Sequence, residues 1–248
     1  MALAALGVLV FAIGVSLGLS GIGGFLIPPL LVALAGLETR VAVADALISF
    51  VPSGLLGAVL SRRSQPFSRS LTIALCLGTV PGVLAGRELS LALSQGALQD
   101  ILAVAVILAA LLLLFVRPHE PGRRRRIDGR LGLWAVAAIG FVGGALTVLA
   151  GVGGPLVAVP ALVLLGVAAA TAVAAALVAS VVGSALGALA LAPSIDNFHW
   201  PVLSLVIAAQ LAGVAAGVWL RARVPAQRLP QLVAAVALVA AAWLLWSE

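Results

Sequence analysis

Apolar residues fill this chain in long unbroken runs separated by short polar stretches. The runs fall at about 2–19, 24–37, 41–60, 70–88, 98–116, 131–150, 154–167, 170–191, 201–220 and 230–246. None alternates residue by residue as the strand of a membrane β-barrel would. A bilayer core about 30 Å thick is crossed by roughly 20 apolar residues in α-helix. Eight of the runs are long enough for that, and those at 24–37 and 154–167 are too short to cross upright. The pattern predicts an all-α polytopic membrane protein.

The runs repeat. GIGGFLIPPLLVALAG at 21–36 aligns with GVGGPLVAVPALVLLG at 151–166, an offset of 130, and 20–60 matches 150–190 at 15 of 41 positions without a gap. Further on, Gly82–Gly86 (GVLAG) matches Gly213–Gly217 (GVAAG) at an offset of 131. The chain therefore divides into a first transmembrane repeat at 1–116, a basic linker at 117–130 and a second repeat at 131–248, with four to five membrane segments in each. The first run has a counterpart at 131–150 and no basic residues before it, so it is expected to belong to the fold and not to a cleaved signal.

Charge then orients the repeats. All 14 basic residues are Arg. They concentrate in SRRSQPFSR at 61–69, the linker RPHEPGRRRRIDGR at 117–130 and RARVPAQR at 221–228. The positive-inside rule places all three loops in the cytoplasm. That holds only if each repeat crosses an odd number of times, so the two repeats are expected to be inverted and pseudo-symmetric. The counterpart of the first basic loop, APSIDNFHW at 192–200, has no Arg or Lys, which fits.

Inverted repeats are a frequent architecture of alternating-access transporters, whose site lies near the bilayer midplane between corresponding broken segments. Here the corresponding breaks are the glycine-rich stretches before the two short runs. A helix that starts after such a break offers free N–H groups and a positive dipole end to an anion. The candidate substrate-binding residues at the breaks are Ser20, Gly21, Gly23, Gly24, Gly151, Gly153, Gly154 and Pro155. Ser49, Ser53, Ser180 and Ser184 in the third segments, and Thr79 with its counterpart Gln210 in the fourth, could replace the hydration of an oxyanion. The plain alternatives are turns for the glycines and interhelical hydrogen bonds for the hydroxyls and the amide. Gly14/Gly18, Gly78/Gly82/Gly86, Gly140/Gly144, Gly183/Gly187 and Gly213/Gly217 read as packing pairs, and such faces would also suit a homodimer. Asp45 is the carboxylate set well inside an apolar run, and its counterpart is Ala175. It is a candidate for proton coupling or for an ion pair with Arg40 or Arg87.

Composition narrows the classes further. The chain is 63% hydrophobic and 9% charged, with a mean hydropathy of +1.27, far from a soluble domain. The formal charge of +6 is accounted for by topology signals, so no nucleic-acid partner is expected. The single cysteine, Cys76, allows no intrachain disulfide and no Cys metal cluster. Gly18-Leu19-Ser20-Gly21 matches the GxSG of intramembrane serine proteases, yet the two histidines, His119 and His199, lie outside the spans. A serine without a base within reach is a poor nucleophile, which leaves an intramembrane serine protease as a remote alternative. No HExxH and no P-loop occurs, so neither a resident metal or other cofactor nor ATP is expected. A non-transporting membrane scaffold is the alternative from another class.

The duplicated break, Gly21-Ile-Gly-Gly24-Phe-Leu-Ile-Pro-Pro29 and Gly151-Val-Gly-Gly154-Pro-Leu-Val-Ala-Val-Pro160, resembles the TauE/SafE family of sulfite exporter-like permeases over essentially the whole chain. The resemblance implies a multi-pass protein of the bacterial plasma membrane, embedded in lipid. It further implies ATP-independent transport of small sulfur-containing anions such as sulfite, sulfoacetate or other organosulfonates.

Overall fold

The computed structural model describes residues 2–20, 23–61, 68–115, 130–151, 154–194 and 199–220. Within them the chain is helical, with no strand. The first half holds α1 (Ala2–Ser20), α2 (Ile27–Ala35), α3 (Thr39–Ser61), α4 (Arg69–Ala92) and α5 (Gln95–Phe115). The second holds α6 (Arg130–Ala150), α7 (Pro155–Leu164), α8 (Ala169–Leu191) and α9 (Trp200–Leu220). The apolar run at 230–246 lies outside the described residues.

Five of these helices, α3, α4, α6, α8 and α9, are long and apolar enough to cross a bilayer. The two short runs give the two shortest helices. α2 has 9 residues and α7 has 10, so each rises only about 14–15 Å. Both start with proline in the first turn, where the missing N–H has no helical acceptor in any case. Both end at glycines with positive φ, Gly36 at 64° and Gly166 at 91°. The Gly36 N–H donates to Leu31 O, and Val167 N–H donates to Leu162 O at 3.0 Å, closing carbonyls at the helix ends.

The glycine pairs set the packing. A methyl group at Gly86 of α4 would lie 2.6 Å from Ala145 O of α6, and one at Gly78 would overlap the backbone of Ala137. At a second such pair, a methyl at Gly14 of α1 would lie 2.6 Å from Gln210 O, and one at Gly213 of α9 would lie 2.9 Å from the Cα of Gly14. The obstacle is backbone in every case, so the small residue is what lets the helices touch. These faces are occupied within the chain.

Direction follows from the same contacts. α4 and α6 run side by side the same way, since Gly78, Gly82 and Gly86 meet Ala137, Phe141 and Ala145 in order. α1 and α9 do likewise, with Gly14 against Gln210 and Gly18 against Gly217. By contrast, Gly54 of α3 meets Val181 of α8 while Leu47 meets Gly187. These two counterpart helices therefore run in opposite directions.

Two apolar clusters fill the interior. One joins Leu6, Ile27, Leu31, Leu47 and Val206 with Val83, Val148 and Leu191 from the other elements. The second gathers Leu75, Val136, Leu162, Ala175 and Ala179. Both draw on helices from each half of the chain, so neither half has a core of its own.

Candidate functional site at the two helix breaks

α1 stops at Ser20, and the chain re-enters the described residues at Gly23. Gly23 has φ 138°, a conformation that a side chain would strain. It sits on α1, where an added Cβ would be 3.2 Å from Ser16 Oγ. Leu26 N–H then donates to Gly23 O at 3.1 Å, forming one tight turn before α2. Gly24 lies under the ring of Phe50 on α3, with 2.9 Å from a Cβ position to Cε1. Residues 23–31 are all buried.

The second break is built alike but is more open on one side. Gly151, φ 60°, ends α6, and Gly154 precedes α7, where Ala158 N–H donates to Gly154 O at 3.0 Å. Pro155 takes the first position of α7 and is buried. Gly154 faces Ser180 of α8, with 3.6 Å from a Cβ position to the Ser180 Cα. Ser180 is the counterpart of Phe50 at an offset of 130. The ring that covers the first break is thus replaced by a hydroxymethyl group at the second.

The breaks converge. A Cβ at Gly151 would lie 2.6 Å from Pro28 Cγ at the start of α2 and 3.5 Å from Val43 Cγ2 of α3. Non-helical backbone is therefore held inside the bundle, where it persists only if protein or an aqueous cavity satisfies it. Helix starts in such a place carry a partial positive charge, although Pro28 and Pro29 of α2 and Pro155 of α7 supply no amide hydrogen. No arginine belongs to the breaks, so an anion there would be met by dipoles and hydroxyls without a full countercharge. That favours binding weak enough to permit release.

The other expected site residues divide. Gly23, Gly24, Gly151, Gly154, Pro155 and Ser180 are assembled around the breaks. Gly21 and Gly153 lie outside the described residues, as does the side chain of Ser20. Ser49 and Ser53 are buried on α3, but their hydroxyls donate to Ala46 O at 2.7 Å and Ser49 O at 2.9 Å. They flank Pro52, which removes a backbone donor from the middle of α3. The Thr79 hydroxyl donates to Leu75 O at 2.9 Å, and its methyl faces Gly183. Ser184 and Gln210 are fully buried, and neither the Ser184 hydroxyl nor either Gln210 amide atom has a hydrogen-bond partner. Two residues escaped the sequence reading, Ser16 beside Gly23 and Thr147 on α6, whose methyl faces Gly183. Lone hydroxyls in an apolar run, without a hydroxyl at the counterpart position, give no signal.

Asp45 is 0% exposed, and neither carboxylate oxygen has a partner. An aspartate at the centre of a membrane helix costs about 3 kcal/mol on insertion scales. The arginines do not relieve it. An Arg40 Nη donates to Ser90 O at 2.8 Å and Leu93 O at 3.3 Å, capping the end of α4. Arg87 Nε donates to Ala190 O at 3.0 Å near the end of α8, and its guanidinium pairs with Glu88 at the surface.

A groove of about 1020 Å³ between α4 and α6 is lined by Ile73, Leu77, Pro81, Trp134 and Phe141. Its walls are among the most exposed apolar side chains, with Trp134 at 74%. Such a surface suits lipid, and the breaks lie elsewhere.

No curated protein and no solved structure matches the chain. The model of the family described as sulfite exporter TauE/SafE matches residues 3–244. With nearly the whole chain covered and the helices apolar enough to cross a membrane repeatedly, the protein belongs to the sulfite exporter TauE/SafE family, membrane transporters of sulfur anions such as sulfite.

Proposed function

We propose that this protein is a secondary transporter, independent of ATP, that moves sulfite, sulfoacetate or a related organosulfonate across the bacterial plasma membrane. The anion binds between the two breaks. The halves at 1–116 and 131–248, joined by the linker at 117–130, are inverted repeats that expose this site to the two faces in turn. The observation that carries the reading is the contact of Gly151 with Pro28, which brings the second break onto the first short helix inside the bundle. The opposed directions of α3 and α8 support the inversion, and midplane sites formed by broken helices are the known partner of that architecture.

Flux through proteoliposomes tests it. Sulfite, sulfoacetate and sulfate are loaded in turn, and movement is compared in wild type, Gly23→Ala and Gly151→Ala. Each variant strains a break, and the second also drives a methyl toward Pro28. Flux of one anion is expected to fall by about tenfold or more, as for an interaction worth some 1.4 kcal/mol. Gly36→Asn is the control. That position has positive φ and nothing within 4 Å of an added Cβ, and Asn tolerates the conformation, so flux is expected to persist. Equal flux in all three variants would remove the breaks from the site. No flux in correctly inserted wild type would favour the scaffold alternative.

A further inference from the structure

Asp45 has no part in an anion site made of dipoles and hydroxyls. Among the described residues it is the carboxylate that solvent does not reach, whereas Glu38, Glu88 and Asp100 are exposed. Its neighbours along α3, Ala42, Val43, Ala44, Ala46 and Leu47, belong to one apolar cluster with Leu6 of α1, Leu31 of α2 and Val206 of α9. The counterpart Ala175 belongs to the second cluster with Val136 and Leu75, which are themselves the counterparts of Leu6 and Val206. The duplicate thus fills with a methyl group the place that Asp45 fills with a carboxylate. A methyl suffices for packing, so the acid has another use.

The charged groups around it are few. α1, α2, α8 and α9 contribute none from within their spans. Arg130 opens α6, and Asp100 of α5 is exposed. Arg40 of α3 is directed to Ser90 O and Leu93 O, and Arg87 of α4 to Ala190 O and Glu88. His199 is exposed ahead of α9, the helix whose Val206 shares a cluster with Ala44 and Ala46 on either side of Asp45. A bare ion in such surroundings is unfavourable, and the neutral acid is the form they accommodate. A hard metal cation would need several converging oxygens, whereas a proton needs only this side chain. Two residues along the helix, Val43 packs against Gly151 of the second break. In a medium of low dielectric an ionised Asp45 would repel an anion held there.

We infer that Asp45 is the proton-binding site of the transport cycle, neutral in the buried setting it has here and carrying one proton in the same direction as each anion. The carboxylate takes its proton from water on the face where His199 lies, opposite the arginine-rich loops, and returns it to water on the other. This rests on the transporter reading, and the experiment separates the two.

Sulfite is the probe, in proteoliposomes carrying wild type, Asp45→Asn or Asp45→Ala, the last copying the counterpart residue so that folding is retained. Wild type is expected to accumulate sulfite under an acid-outside gradient and to exchange sulfite at equal pH. Both variants are expected to keep exchange and lose gradient-driven accumulation. Infrared spectra of the detergent-purified protein are expected to show a protonated-carboxyl C=O stretch that Asp45→Asn removes and whose titration midpoint moves in His199→Gln. Variants that accumulate sulfite like wild type, or accumulation driven by sodium and indifferent to pH, would overturn the coupling role. A wild type without the Asp45-dependent band would overturn protonation, and a midpoint indifferent to His199→Gln would overturn the assigned face. If wild type moves no sulfite at all, the transporter reading fails, while the infrared band still decides whether Asp45 holds a proton.

Discussion

Thr79 and Gln210 stand at counterpart positions, and the offset of 131 residues is enough to pair them. What the offset does not carry is how each is satisfied. A threonine hydroxyl on a helix reaches the carbonyl one turn back, and Thr79 does so with Leu75 O. The Gln210 amide has more atoms to satisfy, and both of its polar atoms are left without partners while the residue is 0% exposed. An unsatisfied buried group of this kind destabilises by about 1–3 kcal/mol. Replacing it by an apolar side chain of similar volume relieves that loss. Gln210→Leu is therefore expected to hold or raise the melting temperature in detergent while reducing sulfite flux. A lower melting temperature with unchanged flux would assign the amide to packing. Asp45 was legible from its rarity inside an apolar run. Its isolation was not, because sequence left Arg40 and Arg87 as partners, and only the geometry shows them turned onto the carbonyls of Ser90, Leu93 and Ala190.

Helices were the most legible layer, because a membrane leaves a long apolar run little alternative to helix. The short segments at 24–37 and 154–167 appear as α2 and α7, trimmed at the front by the break and at the back by Gly36 and Gly166. Partner choice was not legible. Glycine pairs on α1, α4, α6, α8 and α9 look alike in sequence, and nothing in them says that α1 meets α9 and α4 meets α6. That information lies in the depth of each contact, where backbone meets backbone. The α3/α8 contact is looser, with a Cβ at Gly54 lying 2.7 Å from a methyl of Val181. It joins the two halves across the centre, so it is where sliding between repeats would occur. In a Cys76→Ala background, Gly54→Cys with Val181→Cys is expected to form a disulfide on mild oxidation, since a γ-methyl this close leaves the two β-carbons about 4 Å apart, within the range of the bond. The oxidised protein is expected to stop sulfite flux and the reduced one to recover it. Full flux with the bond in place would mean that α3 and α8 move as one body.

At the scale of the whole molecule, two unrelated physical signals bear on orientation. One is the distribution of arginine, which places 61–69, 117–130 and 221–228 on the same face. The other is steric: parallel α1 with α9, parallel α4 with α6, and opposed α3 and α8. If α3 runs toward the face of the basic loop that follows it, α8 runs away from that face and α9 returns to it, so α9 ends at Leu220 on the face that the arginine rule assigns. The two signals agree although neither depends on the other. Together they predict where loop residues are reached by a reagent that does not cross the membrane. In cells carrying the Cys76→Ala protein, Ser94→Cys, between α4 and α5, and His199→Cys, ahead of α9, are expected to react with an impermeant maleimide from outside. Ser68→Cys, ahead of α4, is expected to react only after permeabilisation. Reaction of positions 68 and 199 from the same side would mean that the halves are not inverted, and the arginine-poor 192–200 loop would then need another explanation. Opposite sides would leave alternating exposure of the paired breaks as the motion that this duplicated architecture permits.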